Sequence, residues 1–157
     1  MMKGIVVFKH KENFSRLSDV FKAIGNIENE YNWLITNSEF VSQNDTPFFN
    51  ESYTWIKGEK LSELISKDDG YWIWGVFSAF EKNIKKEEVL TYPLPFANGY
   101  KGFWEVPLTL QNPLAEFEIV EWDGNTLIVI SKNDKIIDSL KKYYPFACDL
   151  EKYNSED

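Results

Sequence analysis

Residues 114–131 read LAEFEIVEWDGNTLIVIS, and this stretch decides the fold. Leu114–Trp122 and Thr126–Ser131 are rich in β-branched and aromatic residues, which favour strands. The Asp123-Gly124-Asn125 sequence between them is typical of a tight β-turn. The stretch therefore predicts an antiparallel hairpin, and the nearly continuous apolar character of its second half predicts an interior strand.

The strongest apolar segment of the chain, Tyr71–Phe80, has the sequence YWIWGVFSAF. Its large apolar side chains fall on both faces of an extended chain, so it predicts a second interior strand. Shorter runs of strand-forming residues predict further strands at Lys3–Phe8, Tyr31–Thr36 and Tyr53–Ile56. A turn is predicted at Asn37-Ser38, followed by a short return at Glu39–Ser42.

Three segments carry apolar residues at helical spacing. They predict helices at Phe14–Ile24, at about Gly58–Ser66 and at about Asn133–Tyr143. Runs of strands without regular alternation of strand and helix favour an α+β fold. We therefore expect a single α+β domain at residues 1–148, with one mostly antiparallel sheet and about three helices packed mainly on one face. Residues 149–157 are acidic and predict a frayed C-terminal tail.

The chain carries a formal net charge of −8, and its sequence pI is about 4.8. Such a charge repels phosphate backbones and anionic membranes, and it attracts basic partners. Arginine, the residue best suited to bidentate recognition of phosphate and guanine, occurs only at Arg16. Direct binding of nucleic acid or membrane is therefore disfavoured, and a basic protein partner is favoured.

The single cysteine, Cys148, cannot form an internal disulfide, and a free thiol suits a reducing compartment. The apolar stretch near the N-terminus, at residues 4–8, is too short for the core of a signal peptide. The longest apolar run, Tyr71–Phe77, is far shorter than a bilayer requires. These features predict a cytoplasmic protein.

Residues suited to catalysis are scarce in this chain. His10 is the only histidine, and it lies in a charged Lys-His-Lys segment without a nucleophile motif beside it. One histidine and one cysteine cannot build a zinc site, and Asp68-Asp69-Gly70 lacks the alternating ligand spacing of a calcium loop. We therefore expect no enzymatic activity, no cofactor and no metal, with an unfamiliar carboxylate site as the remaining enzymatic alternative.

Thr91–Pro113 is the least regular stretch of the chain, with four prolines and two glycines. It predicts a long ordered loop, and loops of this length in compact domains are often functional. Its aromatic residues have two interpretations: they pack the loop onto the core, or they stack on a ligand. The second interpretation makes a small-molecule or carbohydrate-binding module the alternative to a protein inhibitor.

Glu116 and Glu118 stand two residues apart on a predicted strand, so their side chains point to the same face. They form either an ordinary solvated sheet face or an acidic strip that meets a basic partner. For the second case we predict a partner-binding patch that combines acidic residues with an aromatic residue of the long loop. Its members are Asp68, Asp69, Trp104, Glu105, Glu116 and Glu118.

The order of segments carries a resemblance. The chain runs from Lys-Gly-Ile-Val-Val-Phe at residues 3–8 through an amphipathic helix to Tyr-Asn-Trp-Leu-Ile at residues 31–35. An aromatic central strand follows, and then a strand, an Asp-Gly turn, a strand and a helix. In this organisation the chain resembles the small acidic α+β immunity proteins of polymorphic and contact-dependent toxin systems, and related small bacterial proteins of unknown function. The resemblance implies a cytosolic protein that binds and neutralises one cognate toxin domain.

Overall fold

The structure, a computed structural model, describes residues 2–11, 16–44 and 52–156. Its strands are β1 (Lys3–Phe8), β2 (Tyr31–Val41), β3 (Tyr53–Lys57), β4 (Tyr71–Glu81), β5 (Phe117–Trp122), β6 (Thr126–Ser131) and β7 (Cys148–Asp149). Its helices are α1 (Leu17–Ala23), α2 (Gly58–Lys67), α3 (Lys86–Val89), α4 (Asp134–Tyr143) and α5 (Leu150–Ser155). The strands form one sheet in the order β3-β2-β4-β5-β6-β1-β7, and every described strand pair is antiparallel. The predicted α+β class with a single antiparallel sheet is therefore confirmed.

Both segments predicted to be interior strands are confirmed, because β4 lies between β2 and β5, and β6 lies between β5 and β1. The predicted hairpin of β5 and β6 is confirmed as well. Asp123 and Gly124 have φ angles of 50° and 68°, the left-handed conformation that a type I′ turn requires at both central positions. β5 begins at Phe117 rather than Leu114, because Phe117 is the first residue that pairs with β6, opposite Ser131.

β2 differs from its prediction. The chain continues as a strand through Asn37 and Ser38, where the sequence predicts a turn. Asn37 has a left-handed φ of 51°, and the pairing of β2 with β4 shifts register between Thr36 and Glu39. The asparagine therefore belongs to a β-bulge rather than a chain reversal. A β-bulge and a β-turn both favour residues that tolerate positive φ, so the local sequence does not distinguish a bulge from a turn.

The three predicted helices correspond to α1, α2 and α4. α4 begins where the sequence predicts, because Asn133 is its N-cap and accepts a hydrogen bond (2.9 Å) from the backbone N–H of Lys135. α1 begins at Leu17, and Phe14, where the predicted helix starts, lies outside the described residues. No helix in the described part of the chain combines the length and the apolar character needed to cross a membrane.

The sheet is covered on both faces. On the first face, buried side chains of α1, α2 and α4 form one core cluster with Trp33, Phe77 and Phe117 of the sheet. On the second face, Phe103 of the 91–113 loop and Leu150 of α5 belong to a separate cluster with residues of β1, β2, β4, β5 and β6. This double coverage explains why β4 and β6 are apolar on both sides.

The C-terminal segment, where the sequence predicts a frayed tail, forms a short strand and a helix in the structure. Cys148 and Asp149 form β7 beside β1, and Asp149 accepts a hydrogen bond (3.0 Å) from the backbone N–H of Lys152 at the start of α5. Leu150 is completely buried in the second-face core. The sequence does not reveal this docking, because Leu150 and Tyr153 are the only apolar residues of the segment and are too few to define a helical face.

Candidate functional site

A groove of about 520 Å³ opens on the second face of the sheet, at the end where the β5–β6 hairpin turns. Its lining residues are Phe8, Trp104, Trp122, Thr126, Tyr153, Asn154 and Glu156. We call this site the aromatic groove, because four of these residues are aromatic. A concave site with aromatic walls and few polar groups is the usual form of a binding site.

The sheet brings three of the lining residues together. Thr126 of β6 is paired with Trp122 of β5 on one side and with Phe8 of β1 on the other. Trp122 and Phe8 both pack against the second-face core, so their rings lie on the same side of the sheet. Phe8 thus becomes a neighbour of residues far along the chain through strand order alone.

The rings of the aromatic groove pack against one another. The ring centroids of Trp104 and Trp122 are 5.4 Å apart with the planes at 88°, and those of Trp104 and Tyr153 are 6.1 Å apart. Phe8 lies 5.8 Å from Tyr153. Such contacts contribute about 0.5–1.5 kcal/mol each beyond the burial of area. The rings are therefore held in one arrangement, while Tyr153 stays 44% exposed.

Trp104 is positioned jointly by the loop and by α5. It ends a short 3-10 helix, Gly102–Trp104, in which Phe103 is buried. The side-chain amide of Asn154 donates hydrogen bonds to the backbone oxygens of Phe103 (2.9 Å) and Glu105 (3.2 Å). α5 therefore fixes the backbone on both sides of Trp104, which makes the C-terminal helix part of the groove wall.

Glu118 holds the far end of the same loop to the sheet. The residue is 2% exposed, and its carboxylate accepts a hydrogen bond from Ser78 Oγ (2.7 Å) on β4. It also accepts hydrogen bonds from the backbone N–H groups of Gln111 (2.8 Å) and Asn112 (3.4 Å). The strand alternation places Glu118 on the face opposite Phe117, and the loop covers that face. Glu118 is therefore a buried loop contact rather than part of an exposed binding patch.

Two amide side chains hold the middle of the loop. Asn37 Oδ1, at the bulge of β2, accepts hydrogen bonds from the backbone N–H groups of Ala97 (2.8 Å) and Asn98 (3.0 Å). The side chain of Gln111 donates to the backbone oxygen of Phe96 (2.8 Å) and accepts from its N–H (3.0 Å). The side chain of Phe96 itself stays 43% exposed and does not pack into the core. The loop is therefore attached by these polar contacts, which local sequence patterns do not indicate, as well as by aromatic packing.

Asp68 and Asp69 do not reach the groove either. Asp68 is buried at the end of α2, where it accepts hydrogen bonds from the hydroxyl of Ser42 and the backbone N–H of Gln43. Asp69 accepts a hydrogen bond from the hydroxyl of Ser18 on α1. These carboxylates join the chain segments around α1 and α2, and Asp68 is not exposed as the predicted patch requires.

Glu116 lies at the end of the hairpin opposite the groove, where its backbone N–H donates to the oxygen of Ala79 (2.8 Å). Burial raises the pKa of the nearby Tyr31, and the carboxylates of Glu30 and Glu116 add to the effect. Of the six predicted patch residues, only Trp104 lines the groove, and Glu105 follows it directly in the chain. The groove residues that sequence analysis missed are Phe8, Trp122, Thr126, Tyr153, Asn154 and Glu156.

A buried ion pair lies on the opposite side of the sheet from the groove. Lys9 Nζ is 2.5 Å from Glu121 Oε2, and the two side chains are 6% and 1% exposed. Lys9 follows Phe8 and Glu121 precedes Trp122, so the pair links the two strands that carry groove rings. Burial raises the pKa of Glu121 to about 6, although the ammonium group of Lys9 opposes the shift. Burial also raises the pKa of Glu118.

We expect the free energy of unfolding to fall as the pH rises from about 4.5 to about 6, the interval between the ordinary and the raised pKa of Glu121. In this interval the folded protein keeps a proton on Glu121 that the unfolded chain has lost, so a higher pH favours unfolding. Glu121→Gln cannot ionise and should reduce this slope. Urea unfolding at several pH values in this interval measures the slope of the unfolding free energy against pH, and Glu87→Gln on the exposed helix α3 is the control. Equal slopes for the wild type and Glu121→Gln would contradict the expectation.

The residues considered for catalysis lie outside the groove lining. His10 is exposed, with its ring 6.4 Å from that of Phe8, and Cys148 is half-buried in β7. Within residues 2–11, 16–44 and 52–156, no three or more His, Cys, Asp or Glu side chains gather as a metal ion would require. The chemistry of the groove is therefore that of its aromatic rings, two neutral polar side chains and one carboxylate.

Comparison with known proteins places the chain in a family. No curated protein and no solved structure matches it. Residues 2–97 match the family described as a protein of unknown function, DUF2691. The matched part contains β1 to β4 and Phe8 of the groove, whereas Trp104, Trp122 and Tyr153 lie beyond it. Because the match covers more than half of the chain, this protein belongs to the DUF2691 family.

Proposed function

We propose that this protein is a non-catalytic binding protein that holds a basic protein partner at the aromatic groove. The observation that carries the proposal is the groove itself, where partly exposed aromatic rings and one carboxylate meet without a basic side chain among the lining residues. Large aromatic residues in a concave site supply most of the affinity in many protein complexes.

The fixed arrangement of the rings supports a binding role. Trp104 is held between Trp122 and Tyr153, and its backbone neighbours are bonded to Asn154. A site that is already ordered before binding loses little conformational entropy when the partner arrives. Affinity then comes from the area of the rings that the partner covers. Trp and Tyr side chains suit this role because they offer a large area and have few rotatable bonds to immobilise.

The charge of the protein supports a basic partner. The chain has a net charge of −8, Glu156 lines the groove, and the exposed Glu105 follows Trp104 directly. Complementary charge accelerates association and disfavours acidic competitors. A basic surface that docks at this end of the sheet would therefore meet aromatic rings with the carboxylates of Glu105 and Glu156 nearby.

The partner class that we propose is a toxin domain, and the protein would then act as a cytoplasmic immunity protein. Toxin domains that act on nucleic acid need a basic surface for that substrate. An acidic inhibitor with aromatic contact residues can cover such a surface and compete directly with the substrate. Three observations support this proposal: the resemblance in segment order, the negative net charge and the aromatic groove.

A small-molecule or carbohydrate-binding module is the second candidate, and the size of the groove favours it. A volume of about 520 Å³ falls within the range of roughly 300–1,000 Å³ that is usual for small-molecule sites. The faces of Trp104 and Trp122 could stack on a sugar ring. In this case the protein would bind its ligand without a protein partner.

We expect Trp104→Ala to weaken the complex with the partner by about 2 kcal/mol, roughly thirtyfold in Kd, mainly through faster dissociation. The product of the neighbouring gene is the first partner to test, with binding kinetics recorded across a salt series. Rising salt should slow association far more than it changes dissociation. Tyr92→Ala, in the same loop but outside the groove, is the matched control.

Two results would contradict the proposed function. One is the absence of any complex at micromolar concentration with a basic protein partner. The other is an equal loss of affinity in Trp104→Ala and Tyr92→Ala, which would place the contact outside the groove. Unfolding curves of both variants establish that a change in binding does not come from a change in stability.

A further inference from the structure

We infer that the aromatic groove recognises a cationic side chain, an arginine or lysine of the partner, as its principal occupant. This inference rests on the proposed function and adds the chemistry of the bound group. Some polar groups of the groove already form hydrogen bonds within the protein, and others remain to meet a ligand. The inference follows from this difference.

The donor groups of the two neutral polar side chains in the groove are engaged within the protein. Thr126 Oγ1 donates a hydrogen bond (2.8 Å) to Asn125 Oδ1. The amide nitrogen of Asn154 donates to two loop carbonyl oxygens, and its buried Oδ1 atom has no hydrogen-bond partner in the described part of the chain. A sugar needs several free donors and acceptors to orient its hydroxyl groups, and the groove lining has few to offer.

Glu156 is the polar lining residue that remains. Among the described residues, its side chain makes no hydrogen bond or ion pair, and it is exposed at the end of α5. No lysine or arginine lines the groove itself; Lys152, one turn earlier on α5, lines the adjoining pocket with Glu156, but among the described residues the two side chains form no ion pair. Its carboxylate is therefore placed to meet a charge that arrives with the partner.

The aromatic rings and the carboxylate favour the same sign of charge. The face of an aromatic ring carries negative electrostatic potential, and Trp attracts cations more strongly than Tyr or Phe does. The groove contains two tryptophans, Trp104 and Trp122, beside Tyr153 and Phe8. Anions are repelled by the rings and by Glu156 alike. A lysine or arginine side chain suits both the rings and the carboxylate, because its alkyl stem packs on the rings while its charge faces the carboxylate.

The test uses short peptides in place of the unidentified partner. An acetyl-Gly-Arg-Gly-amide peptide is titrated into the ¹⁵N-labelled full-length protein, and the indole N–H resonances of Trp104 and Trp122 are followed. The same peptide with citrulline in place of arginine keeps the shape and loses the charge. We expect saturable shifts of both indole signals with arginine, and binding weaker by about fivefold or more with citrulline.

Variants locate the interaction. Trp104→Leu and Glu156→Gln should each weaken binding of the arginine peptide severalfold, because one removes an aromatic face and the other the carboxylate. Glu87→Gln removes the same charge on α3, outside the groove, and should leave binding unchanged. Equal weakening by Glu87→Gln and Glu156→Gln would reduce the effect to net charge and overturn the inference.

The outcomes separate this inference from the proposed function. Equal binding of the arginine and citrulline peptides, or no shift of either indole signal, overturns cation recognition even if Trp104→Ala weakens a protein complex. Selective binding of the arginine peptide supports cation recognition even if no basic protein partner forms a complex, in which case the proposed function alone fails.

Discussion

Lys9→Met is expected to lower the free energy of unfolding by about 3–5 kcal/mol, because it leaves a buried carboxylate without its cation. Glu121 is 1% exposed, and the ammonium group of Lys9 lies 2.5 Å from its Oε2 atom. Its other oxygen, Oε1, is buried without a hydrogen-bond partner in the part of the chain that the structure describes. The carboxylate would then have to remain charged in an apolar environment or take up a proton.

The double variant Lys9→Met with Glu121→Leu should recover most of this loss. Removing both charges also removes the desolvation penalty that the pair carries, and apolar side chains fit an apolar surrounding. The measurement is urea unfolding of the wild type, both single variants and the double variant, which together form a complete cycle.

A surface pair provides the matched control. Lys82 Nζ and Glu59 Oε1 are 2.8 Å apart, but their side chains are about half-exposed. Lys82→Met should therefore cost far less than Lys9→Met, because water screens the charge that remains. If Lys9→Met lowers the free energy of unfolding no more than Lys82→Met does, the buried pair does not stabilise the fold in the way that its geometry indicates.

Glu118→Lys is expected to lower the free energy of unfolding by about 3 kcal/mol or more and to loosen the 91–113 loop. The substitution places a cation opposite the backbone N–H groups of Gln111 and Asn112 and the hydroxyl of Ser78, all of which donate to Glu118. Each buried donor without an acceptor costs about 1–3 kcal/mol. An exposed acidic residue in a binding patch would instead change the association rate and leave stability nearly unaltered.

Two comparisons make this prediction specific. Glu118→Gln keeps one acceptor oxygen and the side-chain shape, so it should cost clearly less than Glu118→Lys. Glu116→Lys changes the same charge at a half-buried position and should have a small effect on stability. Hydrogen exchange of the Gln111 and Asn112 amides reports the loop directly, and unchanged protection in Glu118→Lys would contradict the assignment.

Loss of Glu118 should also weaken partner binding, but indirectly. Trp104 belongs to the loop that Glu118 holds to the sheet, so a loosened loop no longer presents its ring in a fixed position. Glu118 variants should therefore combine weaker binding with faster exchange of loop amides. Trp104→Ala should weaken binding while the exchange at Gln111 stays slow, which separates a contact residue from a positioning residue.

The strands follow from local pattern. β4, β5, β6 and the turn at Asp123-Gly124 are recognisable because alternation, apolar runs and turn residues all act within a few positions. The bulge at Asn37 and the docking of Leu150 are not recognisable in this way. A residue that tolerates positive φ serves a turn or a bulge equally well, and a single leucine is buried only if another part of the chain supplies the surface that covers it.

The groove depends on tertiary structure. Trp104 is suggested by its place in an irregular aromatic loop, but Phe8, Trp122 and Tyr153 come from three other segments. Strand order makes Phe8 and Trp122 neighbours, and the docking of α5 adds Tyr153. Glu118 illustrates the same division. Alternation determines which face of β5 it occupies, whereas the loop that covers this face determines that it is buried.

The sequence by itself determined the antiparallel α+β sheet, the β5–β6 hairpin and the acidic net charge, because each of these is a local pattern or a sum over residues. Only the tertiary structure decided which carboxylates are buried contacts, that α5 forms a groove wall, and which rings share the groove. These properties depend on which surfaces meet, and contacts between distant segments form only when the whole sheet has assembled.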